Sequence, residues 1–258
     1  MLLTPIFAPI LVPVLVPSRA AAQSTPSPRD LHIAAAADLQ PVLPTLALDY
    51  EKQTGVHIVP SFGSSATLTQ QLQNGAPQDL FLSADCVHPQ QLADGRLTAD
   101  PQPTLYARGV LVLWARKDSP AQPLSLTSLS SPRVAHVAVA NDLHAPYGQA
   151  ATAAIHALHL QNSLAGKLVT GENIMQTAQF AQTGNAQAAF ISLTIASSPQ
   201  FRDTGTFIRL PLVYPEIRQC GVALAHAPHV TEAQAFLRWL TSAAVQNRLS
   251  SFGLDPAR

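Results

Sequence analysis

Strand-like apolar runs alternate with helical patterns along almost the whole chain, and no feature constrains the fold more. The runs are "LHIAAAA" (31–37), "VHIVPSF" (56–62), "DLFLSA" (79–84), "GVLVLWAR" (109–116), "HVAVAN" (136–141), "AAFISL" (188–193) and "GVALAH" (221–226). Several are apolar nearly throughout, as in sheets covered on both faces. Between them, Leu39, Leu43, Leu46 and Tyr50 recur at helical spacing before Gly55, and Leu68 and Leu72 do so before Gly75, which suits a C′ position. Ala150–Leu160 and Ile174–Gln182 read as further helices. Thr231 with Gln234 forms a capping-box pattern ahead of an apolar face made by Phe236, Trp239, Leu240 and Val245. Pro41 fits a first helical turn, whereas Pro44 lies deeper and should bend that helix or shift its start. Such alternation predicts an α/β fold with mostly parallel sheets flanked by helices, a class that binds ligands beyond the carboxyl ends of its strands.

At 258 residues the chain suits one large domain or two small ones, and no shift of composition marks a boundary. With 47% hydrophobic and 12% charged residues it lacks the signature of disorder. Lys plus Arg and Asp plus Glu both number 15, so there is no basic footprint for nucleic acid or an anionic membrane. Residues 1–23 read as an export signal. The apolar stretch Ile6–Val16 has the right length and "RAAAQ" offers small residues for cleavage, although no Lys or Arg precedes it; the alternative is an uncleaved apolar tail. Residues 24–29 read as a linker. Only Cys86 and Cys220 are present, and an oxidising compartment would permit one disulfide, which sequence leaves open. No Gly-x-Ser-x-Gly or His-Glu-x-x-His stretch supports an enzyme. His156 and His159 read as an exposed helix pair, and His144 as a residue that lines a cleft.

At three places a strand-like run empties into a turn and then a helix, namely Ala37-Asp38, Gly63-Ser64-Ser65 and "HAPYGQAA" (144–151), and a fourth stretch, "TGENIMQTAQ" (170–179), opens a helix after a Gly turn. Helix starts expose N–H groups that lack internal acceptors, and the macrodipole puts partial positive charge there. If they converge, they form an anion site without any cationic side chain. Ser64 and Ser65 would add hydroxyl donors, or one of them would merely cap its helix. Asp38 is equally an ordinary N-cap residue.

In these same stretches the chain resembles the molybdate-binding periplasmic proteins of ABC importers. "AAAADLQPVLPTLALDYEKQTG", "SFGSSATLTQQLQNGAPQDLFLSAD", "LVLWARKDSP", "VAVANDLHAPYGQAA", "GENIMQTAQ" and "YPEIRQCGVAL" match the family pattern in order. The resemblance implies a two-lobed periplasmic binding protein fold, type II-like, with a hinged cleft. Lobe one would comprise residues 30–107 plus 214–258 and lobe two 108–213, with the hinge crossing near Tyr106–Gly109 and Val213–Pro215. It implies a monomeric, non-enzymatic protein of the periplasm, without a cofactor, that hands molybdate or tungstate to a membrane permease and its ATPase. The implied donors are the hydroxyl and amide of Ser65, with Ser64 as its neighbour, and the main-chain amides of Tyr147 and Ile174. Two departures stand out. Asp38 occupies the turn where relatives carry a ligand Ser, so only a nearby amide is expected to donate, with the carboxylate turned away to cap the next helix. Ser192 stands where some members present a Tyr, and either donates or lies in a buried strand end. These departures keep another small anion, such as sulfate, phosphate or an organic acid, as the alternative ligand. A fully deprotonated oxyanion needs donors only, whereas phosphate would gain from an acceptor, so the direction of Asp38 discriminates between them.

Overall fold

The computed structural model describes residues 30–257, so the signal and linker readings lie outside the described residues. Eleven strands run in chain order as β1 (Asp30–Ala36), β2 (His57–Gly63), β3 (Leu80–Leu82), β4 (Thr104–Gly109), β5 (Leu111–Arg116), β6 (Val137–Ala140), β7 (Leu168–Gly171), β8 (Ala188–Ser192), β9 (Gly205–Arg209), β10 (Ile217–Ala223) and β11 (Leu254–Asp255). The helices are α1 (Leu43–Thr54), α2 (Ser65–Gln73), α3 (Val87–Asp94), α4 (Pro146–Ala157), α5 (Gln161–Leu164), α6 (Ile174–Gln182), α7 (Leu193–Ser197), α8 (Pro199–Thr204), α9 (Val230–Leu240) and α10 (Ala243–Gln246).

Two sheets result, ordered β11-β4-β10-β3-β1-β2 and β7-β6-β8-β5-β9. They are mixed, which corrects the expectation of mostly parallel sheets. In the first sheet β1 runs parallel to β2 and β3, but β10 is antiparallel to both β3 and β4. In the second, β6 runs parallel to β7 and β8 while β5 is antiparallel to β8 and β9. The reason is the chain path. It leaves the first sheet at Gly109, enters the second at Leu111, and returns between Arg209 and Ile217. The returning β10 inserts between β3 and β4 and opposes them both.

Alternation of side chains across the pleat gives the first sheet two apolar faces. Leu80 and Leu82 join Leu43, Leu46, Tyr50, Phe236 and Leu240 on the side of α1 and α9. Phe81, Ala34 and Val222 face Leu68, Leu72 and Leu92 on the other. Tyr50 meets Phe236 edge-on with centroids 4.9 Å apart, and this contact locks α1 to α9. In the second sheet Trp114 is fully buried, and its Nε1 donates to the Phe201 carbonyl at 3.2 Å.

Helix ends follow local chemistry. Gly55 ends α1 in the left-handed region (φ 72°), where a Cβ is disfavoured. Pro44 shifts the helix start rather than bending it: α1 begins at Leu43, after a separate 3-10 turn at Ala37–Leu39. The Thr231–Gln234 capping box does not form. His229 is the N-cap of α9, with no side-chain cap bond, and Gln234 instead bonds Asp100 at 2.9 Å. His156 and His159 are both exposed, but α4 ends at Ala157, so only His156 is on the helix.

Cys86 and Cys220 form a disulfide across 134 residues, with Cα atoms 4.8 Å apart. It ties the turn before α3 to β10. Closing so long a loop restricts the unfolded chain, and the bond should contribute about 2–5 kcal/mol. Urea unfolding of the Cys86→Ser, Cys220→Ser double variant is expected to show that loss; an unchanged midpoint would mean that native packing alone fixes this turn.

Candidate functional site

All four predicted turns meet. The 3-10 turn after β1 brings Asp38, the end of β2 brings Gly63, Ser64 and Ser65, the start of α4 brings Ala145, Pro146 and Tyr147, and the start of α6 brings Asn173 and Ile174. With Ala84 just after β3, they line one small, half-open cavity of about 10 Å³ whose wall holds no Lys, Arg or His.

The donors follow from counting N–H groups at each helix start, since the first turn has no intrahelical acceptors. In α2, the Ala66 amide donates to the His144 carbonyl (3.1 Å) and the Thr67 amide to Ser64 Oγ (3.3 Å), which leaves Ser65. In α4, Pro146 has no N–H and the Gly148 amide donates to the Ala145 carbonyl (2.8 Å), which leaves Tyr147. In α6, the Asn173 side chain accepts from both the Met175 and Gln176 amides at 3.0 Å, which leaves Ile174. Each start therefore retains one amide without a protein acceptor, in a residue that lines the cavity. Ser65 Oγ accepts from the Ala84 amide at 3.1 Å, so its own proton is free for a fourth donation.

Asp38 departs from expectation. Its carboxylate does not turn away to cap a helix, because α1 starts too late along the chain to be reached and Val42 holds the N-cap position there. Instead it is fully buried at the cavity. Its Oδ2 accepts from Gln219 Nε2 at 2.6 Å and from the Tyr147 hydroxyl at 3.3 Å. Its Oδ1 has no partner. Burial pushes its pKa up to about 7, against the opposing pull of the Gln219 amide, the Tyr147 hydroxyl and its own main chain. Burial, then the nearby Asp38 charge, also raises the phenols of Tyr147 and Tyr106 well above their usual range.

The structure brings Asp38, Ser64, Ser65, Tyr147 and Ile174 together but not Ser192. Ser192 is buried as the N-cap of α7, its Oγ accepting from the Ile195 amide at 3.3 Å and lying 2.7 Å from Thr194 Oγ1. Ser64 is a cap too. Its Oγ donates to Thr67 Oγ1 at 2.7 Å, so its hydroxyl proton is occupied. His144 does not line the cavity, and its ring instead pairs with Glu172 at 2.9 Å. Sequence reading missed Gln219, which bridges Asp38 and the Tyr147 hydroxyl from β10. Between Arg218 and Cys220 in β10, little in the local pattern singles this amide out. Among the described residues, no group of three His, Cys, Asp or Glu could hold a metal ion, and no helix is long and apolar enough to cross a membrane.

Residues 31–255 match the family model of the bacterial extracellular solute-binding proteins. The chain is 32% identical over 225 residues to the molybdate-binding protein ModA of Azotobacter vinelandii, a match covering 87% of this chain and 89% of the relative. It is 30% identical over 205 residues to ModA of Rhodobacter capsulatus, covering 79% of each. The solved periplasmic molybdate-binding protein of Azotobacter vinelandii superposes with a TM-score of 0.77 at 27% identity, over 87% of this chain and 98% of that one. These relatives are named as molybdate-binding proteins. The chain belongs to the bacterial extracellular solute-binding proteins, a family it shares with the ModA proteins.

Proposed function

We propose that this protein captures molybdate, or the chemically similar tungstate, in the cavity between its two sheets and delivers it to an ABC importer. The observation that carries the reading is the set of unpartnered donors. Three amides from three helix starts and the Ser65 hydroxyl face one small cavity whose wall holds no cationic side chain. Charge-assisted hydrogen bonds contribute about 1.5–3 kcal/mol each, so four offset much of the desolvation of a dianion. The names of the relatives supply the molybdate. Residues 1–23 would direct export, the protein would act in the periplasm as a monomer, and a permease with its ATPase would receive the ligand.

The inward carboxyl of Asp38 favours a second reading, a singly protonated anion such as phosphate, which brings a proton for that acceptor to receive. A melting panel separates the two. Molybdate or tungstate at about 100 times its Kd should add roughly 2.7 kcal/mol of stability, with sulfate adding little; an equal response to sulfate would overturn the specificity.

Two variants test the donors. Ser65→Ala should weaken molybdate binding by about 1–3 kcal/mol, whereas unchanged affinity would reduce Ser65 to a packing role. Ile174→Pro removes one amide at a helix position that tolerates proline and should weaken binding at least tenfold. Ile174→Ala loses the same buried side chain but keeps the N–H, so it should bind nearly as the parent does. Equal titration curves for the two Ile174 variants would rule out an amide contact there.

A further inference from the structure

Asp38 is acceptor-only when ionised, and it sits in a cavity otherwise furnished with donors. Its two oxygens are treated differently. Oδ2 is held by Gln219 and Tyr147, while the fully buried Oδ1 has no partner at all. A buried oxygen in that state is rare in folded proteins and calls for a missing proton or ligand. An ionised carboxylate beside a dianion would also repel it, and no Lys, Arg or His on the wall offsets that repulsion. One added proton resolves both problems, because it turns Oδ1 and the facing anion oxygen into a donor–acceptor pair.

We propose that this cavity takes up its oxyanion together with one proton, held between Asp38 Oδ1 and an oxygen of the bound anion, and that Asp38 thereby sets which anions are accepted. The inference rests on the anion-capture reading above and deepens it. A fully deprotonated anion takes the proton from water onto the carboxylate as the lobes close. A singly protonated anion carries the proton in, and Oδ1 accepts from its hydroxyl. In both cases no bond other than O–H forms or breaks, and opening the lobes returns the proton to solvent or lets it leave with the anion.

The surroundings leave Asp38 as the group that titrates. From α4 it faces the Tyr147 phenol, and the Tyr106 phenol of β4 lies near enough to sense its charge; burial keeps both protonated through neutral pH. From β10 it faces the neutral Gln219, and from α7 the Thr194 hydroxyl, which donates to the Asp38 carbonyl at 2.7 Å. From α2 and α6 come Ser65, Asn173 and Ile174, none of which is ionisable. Burial, opposed by the bonds from Gln219, Tyr147 and the main chain, already leaves the carboxyl raised to about 7, and an adjacent anion would raise it further.

Calorimetry on the mature chain tests this. Molybdate titrated at pH 8 in two buffers of different ionisation heat should reveal uptake of close to one proton. Its Kd should rise about tenfold per pH unit between pH 7 and 9, since each bound proton gives unit slope. Asp38→Asn and Asp38→Ser should both abolish the uptake and flatten the slope. Phosphate, which brings its own proton, should bind the parent without uptake from buffer and lose affinity in Asp38→Asn. Molybdate binding with no buffer-dependent heat and a flat pH profile would overturn the proposal, even if neither variant folds, and so would a slope that survives in Asp38→Asn. Absence of heat with molybdate, tungstate and phosphate alike would overturn anion capture itself and this proposal with it.

Discussion

The first turn of a helix carries N–H groups that its own backbone cannot satisfy, and every other feature of the cavity depends on where those groups point. Here three helices from two separate sheets begin at one spot. The side-chain caps do more than end the helices. Asn173 takes two amides of α6 and leaves one, Ser64 takes one of α2, and proline removes one from α4. The number of amides each helix start leaves free is thus set by its caps. Partial charges of this kind hold an anion without a fixed counter-ion, which keeps release possible when the lobes part.

Asp38 runs against this scheme, and the magnitudes show how strongly. Two unit charges about 4 Å apart interact by roughly 4 kcal/mol at an effective dielectric of 20, and a dianion doubles that. The repulsion would cancel about three or more of the charge-assisted hydrogen bonds proposed to hold the ligand. A neutral acid removes the conflict and supplies a donor. The bond from Gln219 then matters for orientation, since it fixes Oδ2 and leaves Oδ1, like Gln219 Oε1 beside it, without a partner.

Much of this was legible in the sequence. The strands at 31–37, 56–62 and 188–193 were read to within one residue, because buried strands leave uninterrupted apolar runs. The four turns were legible because an apolar run or a glycine turn gives way there to capping and turn residues (Asp38, Ser64, Pro146, Asn173) ahead of a helical pattern. Missed were β4, β7, β9 and β11, which are half-exposed or very short and leave no clean period. The antiparallel placing of β10 could not be read either, since direction depends on a return across more than a hundred residues. Asp38 was misjudged for a related reason. Its partners Tyr147 and Gln219 lie 109 and 181 residues away, so local rules saw only a good capping residue.

Under the proposed reading, Tyr147 joins ligand capture to lobe closure within one residue. Its amide faces the cavity while its hydroxyl crosses from α4 to Asp38 and Gln219, both on the first sheet's side. That reach requires Gly109, where a Cβ would lie 2.3 Å from the Tyr147 hydroxyl. A second crossing bond, from the Ala66 amide to the His144 carbonyl, lies one turn away. Withdrawing the second lobe would therefore take the Tyr147 and Ile174 amides away from a bound anion and break these crossings, together with the bond from the Thr194 hydroxyl to the Asp38 carbonyl, in the same movement. Any alternative in which the anion stays bound with the lobes apart must retain it on Ser65 alone, with Asp38 exposed to water and ionised beside it. Closure and capture are then one equilibrium, and a ligand shifts it only by the contacts that the open form lacks.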